Sequence, residues 1–164
     1  MLKSILVALM VLPSASFAAC VGSEALFSCT FKKGQKAVDL CVGDGLVKYA
    51  YGPKGGQPEL ALSLSVTNVD YIPWSGIGRY IGETVIVPNN GYSYEISYSI
   101  DRNDPDRPTE GGINVFQGAD QIATLTCDTG SIAASDFYPL FQAREAEGLF
   151  YCLETGEWGA RCGG

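Results

Sequence analysis

From Glu24 to Cys127 the sequence alternates apolar and polar residues in short runs. A period of two is what a strand with one face in a core and the other in water requires, because successive side chains point to opposite sides. The run Leu60–Val66 is the clearest, with Leu60, Leu62, Leu64 and Val66 on one face and Ala61, Ser63 and Ser65 on the other. Ala25, Phe27, Cys29 and Phe31 share a face in the first run, Val38, Leu40 and Val42 in the second, and Val47, Tyr49 and Tyr51 in the third.

The run around Asn90-Gly91 can be read in register. A two-residue type I′ turn needs positive φ at both central positions, which Asn-Gly supplies. A turn there sets Asn89 opposite Tyr92, Val87 opposite Tyr94 and Val85 opposite Ile96, leaving Ser93, Glu95, Ser97 and Ser99 on the far face. With the runs after the "DRNDPDRPTE" loop, the pattern predicts about eight short antiparallel strands, closed or stacked into a small β-barrel or sandwich.

After Cys127 the period changes. Phe137, Leu140 and Phe141 have helical spacing, Ser135 or Asp136 is a candidate cap, Pro139 fits the first turn and Gly148 a stop. A short extended hairpin follows. The expected organisation is a leader at 1–18, a β-domain at 19–128 and a helix-plus-hairpin extension at 129–164 packed on it.

The leader is read from Lys3, the apolar stretch Ser4–Leu12, and the small residues before cleavage after Ala18. Its apolar core is too short to span a bilayer as a helix, so it reads as a secretory signal. All six cysteines lie beyond it: Cys20, Cys29, Cys41, Cys127, Cys152 and Cys162. An even number in an exported chain implies a disulfide framework, whereas lipidation of Cys20 would leave one thiol unpaired. Cys152 is expected to pair with Cys162, and Cys29–Cys41 with Cys20–Cys127 is the preferred set among three connectivities. The expected location is periplasmic or secreted, with no transmembrane segment.

Eleven basic residues against eighteen acidic give a net charge of −7, or −8 once Lys3 is lost with the leader. That disfavours nucleic acid, whose phosphates need Lys and Arg, and favours basic partners. Without any histidine, Ser-His-Asp and Cys-His catalysis are excluded. No cofactor or metal is expected: no Cys-x-x-Cys occurs, "GIGRYIG" lacks dinucleotide spacing, and Pro105 and two arginines interrupt the acidic 101–110 loop. Glu95, Glu154 and Glu157 leave a carboxylate-dependent hydrolase as the alternative to a non-catalytic binding domain.

The candidate binding stretch is "SGIGRY", Ser75–Tyr80, whose flanking Pro73 and Trp74 complete a turn-rich connection. Ser75, Gly76 and Arg79 are expected in an exposed loop, with Trp74 covering one end of the barrel and Tyr80 packing inward. Loops on a rigid scaffold are where function concentrates.

With "FSC" at 27–29, "SGIGRY" at 75–80, the hairpin after it and "TLTC" ending at Cys127, the chain resembles the bacterial membrane-bound or periplasmic inhibitors of c-type lysozyme. It also resembles small exported bacterial proteins of no known role. The first resemblance implies a small antiparallel barrel and a loop whose Ser75 and Arg79 enter the lysozyme cleft and engage its catalytic carboxylates, making a basic lysozyme the partner. It spans roughly residues 25–128. The loop is one residue shorter than the family's form, four cysteines are additional, and the tail after Cys127 lies outside the pattern.

Overall fold

The computed structural model describes residues 20–162, so the expected leader and its cleavage site lie outside the described residues. Nine strands follow in chain order: β1 (Glu24–Phe31), β2 (Lys36–Gly43), β3 (Leu46–Pro53), β4 (Leu60–Ser65), β5 (Asp70–Ile72), β6 (Tyr80–Asn89), β7 (Tyr92–Asp101), β8 (Thr109–Gln117) and β9 (Asp120–Thr126). A two-residue strand β10 (Ala134–Ser135), helix α1 (Tyr138–Ala146) and a hairpin of β11 (Phe150–Cys152) and β12 (Glu157–Gly159) complete the described residues. The architecture is mainly β, in two five-stranded antiparallel sheets ordered β10-β1-β2-β3-β4 and β5-β6-β7-β8-β9.

The alternation explains the core. Phe27, Phe31, Val38, Leu40 and Val47 from the first sheet and Val85, Val87, Ile96 and Ile113 from the second are buried in one shared cluster. Tyr49 of β3 stacks on Tyr94 of β7 with ring centres 5.4 Å apart, so the inner faces of the sheets meet. The β6–β7 register is the expected one: Val85 opposite Ile96, Val87 opposite Tyr94, Asn89 opposite Tyr92. Asn90 and Gly91 have φ of 49° and 83°, as the turn chemistry demands. One expectation fails in β1. A bulge between Ala25 and Phe27 shifts the alternation, so Ala25 is exposed and Leu26 is buried.

The disulfides are Cys20–Cys41, Cys29–Cys127 and Cys152–Cys162. The last is as expected; the pairing of Cys29 with Cys41 and of Cys20 with Cys127 is overturned. On β1, Cys29 shares the inner face with Phe27 and Phe31. On β2, Cys41 falls between the inward Leu40 and Val42 and points to the opposite side, so no bridge can join the two. Cys20 instead reaches Cys41 on the outer face. Cys29 bridges to Cys127 just after β9, where the Asp128 N–H also donates to the Thr30 carbonyl at 2.8 Å.

The tail is built into the same core. The N–H of Tyr138 is accepted by Asp136, although the helix boundary residue is Phe137 rather than Ser135 or Asp136. The far end closes with two backbone bonds, Gly148 N–H to Glu145 O and Leu149 N–H to Arg144 O, around a glycine at φ 79°. Phe137 and Leu140 are fully buried, and Phe137 packs on Phe27, Tyr71 and Tyr98.

Asp39 lies on the outer face of β2, half-buried between Ser28 and Ala50, and desolvation raises its pKa. A raised carboxyl pKa means that the neutral form suits the fold, so ionisation costs stability as pH rises through the folded value. Asp39→Asn is therefore expected to raise the unfolding midpoint at pH 7. The gain should shrink on acidification to the pH where Asp39 is protonated, as read by thermal denaturation at pH 7 and pH 3.

Candidate functional site

The β5–β6 connection, residues 73–79, stands beside the β7–β8 loop and forms one rim. Gly76 and Gly78 have φ of 84° and 107°, and neither has an atom within 4 Å of where a Cβ would sit. Backbone conformation rather than space calls for glycine at both. Side chains then hold the loop. The Trp74 indole N–H donates to the Ile77 carbonyl at 3.2 Å, and Arg102 lies over the Trp74 ring at 5.6 Å while its Nη1 donates to the Gly78 carbonyl at 3.2 Å. Arg79 donates from Nε and Nη2 to the Asp101 carboxylate, 2.9 Å at the Nε–Oδ1 bond. The Arg79 hydrogen bonds and the Asn103 N–H hold Asp101 below the usual carboxylate range.

Ser75, Gly76, Arg79 and Tyr80 are all exposed. Tyr80 does not pack inward. The inner face of β6 carries Glu83, Val85 and Val87, so Tyr80, at even spacing from the residues between them, faces out and lies beside the Arg79 guanidinium at 5.4 Å. Trp74 does not cover the core either; the interior beside Tyr71 and Tyr98 is filled by Phe137, and Trp74 is half-buried against its own loop. Ile77 projects at the tip, 77% exposed. Three of the chain's five arginines, Arg79, Arg102 and Arg107, sit in this rim. Asp101, Asp104 and Asp106 balance them, and the carboxylates of Asp101 and Asp104 accept N–H groups from within the loop.

Two polar groups escape sequence reasoning. Glu83 lies on the inner face of β6, where its carboxylate accepts the hydroxyls of Tyr71 and Tyr98, each at 2.7 Å. Burial, with Glu83 beside them, pushes both tyrosine hydroxyls up, so they stay protonated donors rather than bases or nucleophiles. Arg144 on α1 is 4% exposed. A charged residue at an inward position of an otherwise regular pattern is the signal for each: Glu83 two residues before Val85, and Arg144 four after Leu140.

Of the acids expected for hydrolysis, Glu95 lies on β7, while Glu154 and Glu157 share the tail hairpin. Among the described residues no group of three metal-ligating side chains comes together, and no helix is long and apolar enough to cross a membrane. Three disulfides are the mark of an oxidising extracellular or periplasmic setting. Comparison with family models, with curated proteins and with solved structures finds no match to this chain.

Proposed function

We propose that this protein is a non-catalytic binding domain of the bacterial cell envelope, exported and held by its disulfides, and that it docks a protein partner through the rim formed by residues 73–80 and the β7–β8 loop. The observation that carries the reading is a loop fixed in place yet unsatisfied at its surface. Indole, guanidinium and carboxylate contacts tie it down, while Ile77 and Tyr80 remain 77% and 54% exposed. Preorganisation of this kind lowers the ordering cost of association, and exposed apolar and aromatic residues ringed by arginine are the composition of an interface centre.

Ile77→Asp places a charge at the tip without touching the core. It is expected to weaken partner capture from envelope extract by ~30-fold or more, the effect of losing a central contact of about 2 kcal/mol, with an unchanged unfolding midpoint. Undiminished capture of the same partner would remove the rim from the interface.

A second reading, inhibition of c-type lysozyme, is favoured by Ser75 and Arg79 standing exposed on one loop. A guanidinium suits a carboxylate, and an acidic protein is drawn to a basic enzyme. Arg79 spends Nε and Nη2 on Asp101, so Nη1 is the nitrogen left to engage a cleft. Oxidised protein titrated into a lysozyme cell-wall lysis assay is expected to inhibit, and Arg79→Ala to inhibit less. No inhibition at micromolar protein would discard lysozyme as the partner while leaving the rim to be tested with another.

A further inference from the structure

A second site lies six and eight residues along β6 from Tyr80, about 20 Å or more from the rim by strand rise. There Ile86 and Pro88 of β6, Asp70 of β5, Arg144 of α1 and Glu157 and Trp158 of the tail hairpin line a cavity of about 520 Å³. Volumes of roughly 300–1,000 Å³ suit small ligands. The unusual member is Arg144. Its Nη1 donates to the carbonyls of Val66, at 2.9 Å, and Val69, and its guanidinium lies 4.5 Å from the centre of the Trp158 ring. Nε is buried without a partner, Nη2 donates to none of the described residues, and among them no carboxylate lies within ion-pair distance.

Arg144 is held by carbonyls and an aromatic face, and the attraction of Asp70 offsets only part of what its burial costs; a bound carboxylate would supply the direct partner it lacks. Asp70 and Glu157 narrow the choice. Two carboxylates on the wall repel a simple anion, while Arg144 repels a simple cation; a molecule carrying one charge of each sign meets both. Ile86 and Pro88 provide apolar surface for the rest of it, together with the part of Trp158 that Arg144 and Tyr71 leave uncovered.

We propose that this cavity binds a free amino acid with an apolar side chain, its α-carboxylate on Arg144, its ammonium toward Asp70 and Glu157, and its side chain against Trp158, Ile86 and Pro88. The site is independent of the rim and of what the rim binds.

Arg144 also ties α1 to the β4–β5 turn, so Arg144→Met is expected to loosen the tail, and the test rests on ligand chemistry and on wall residues instead. Calorimetric titration of the oxidised full chain with leucine and with phenylalanine is expected to show saturable binding below ~1 mM for at least one. N-acetylation or C-amidation of that ligand should abolish it. Asp70→Asn with Glu157→Gln should weaken it ~10-fold or more in protein that still unfolds cooperatively: the amide oxygen of an asparagine can accept the Tyr71 N–H that Asp70 takes at 2.9 Å, while loss of the Asp70 attraction to Arg144 lowers the midpoint without unfolding the chain. No binding of either amino acid at ~10 mM, or equal binding of the capped forms or by the double variant, would overturn the proposal.

Discussion

Replacing Cys29 and Cys127 together by alanine is expected to cost about 4 to 5 kcal/mol of stability. The bridge closes a sequence separation of 98 residues, for which the chain-entropy model gives about 4.7 kcal/mol, near the top of the range seen on removing native disulfides. Total stabilities are typically only ~5–15 kcal/mol, so this single change should bring the protein close to unfolding at 37 °C. Cys152–Cys162 closes a separation of 10, worth about 2.7 kcal/mol by the same model. It fastens the tail hairpin alone, so Cys152→Ala with Cys162→Ala should leave the two sheets folded. Urea denaturation of the two double variants beside the wild type measures the contrast. Equal midpoints for both variants would mean that the long-range bridge does not dominate.

Phe137→Ala should be nearly as damaging, at ~3–5 kcal/mol, because it empties a fully buried aromatic site. Its ring is in contact with Phe27 of β1, Tyr71 of β5 and Tyr98 of β7, at centre distances of 6.3, 6.2 and 5.2 Å. One side chain from the tail therefore fastens both sheets. It also lies beside the Tyr71–Glu83–Tyr98 hydrogen bonds, and water admitted there would compete for them. Phe137→Leu, which keeps most of the volume, should recover over half of the loss in thermal or urea unfolding. A loss below about 1 kcal/mol for Phe137→Ala would show that the tail merely leans on the sheets.

The strand pattern and the β6–β7 register were legible because two independent signals coincided at Asn90-Gly91: the turn chemistry and the hydrophobic face it creates. The helix was legible from Phe137, Leu140 and Gly148, and the short disulfide from its position across a hairpin. The other pairings depended on which side of a strand each cysteine occupies. That information was present in the alternation, since Cys41 is out of phase with Leu40 and Val42 while Cys29 is in phase with Phe27 and Phe31. Proximity along the chain suggested the opposite pairing, and face outranks proximity. The same parity puts Tyr80 outside.

For the candidate site, exposure of Ser75, Gly76 and Arg79 followed from composition, but the contacts that fix the loop did not. Arg79 with Asp101, and Arg102 over Trp74, join segments 22 and 28 residues apart by number, and no local periodicity reports such a meeting. Arg144 and Glu83 were hidden for a related reason. A lone charge in an apolar pattern reads as a break in the pattern until its partners, the Val66 and Val69 carbonyls or the Tyr71 and Tyr98 hydroxyls, are brought to it by tertiary packing.

Site-specific photo-cross-linking measures the central claim most directly. A photoreactive residue placed at Ile77 on the rim is compared with one at Ile122, which is also exposed but lies on the edge strand β9. Incubated with envelope proteins and irradiated, the oxidised Ile77 variant is expected to yield a discrete cross-linked species that unlabelled wild-type protein competes away, and the Ile122 variant is not. The same species from both positions, or competable cross-linking from Ile122 alone, would contradict docking through the rim.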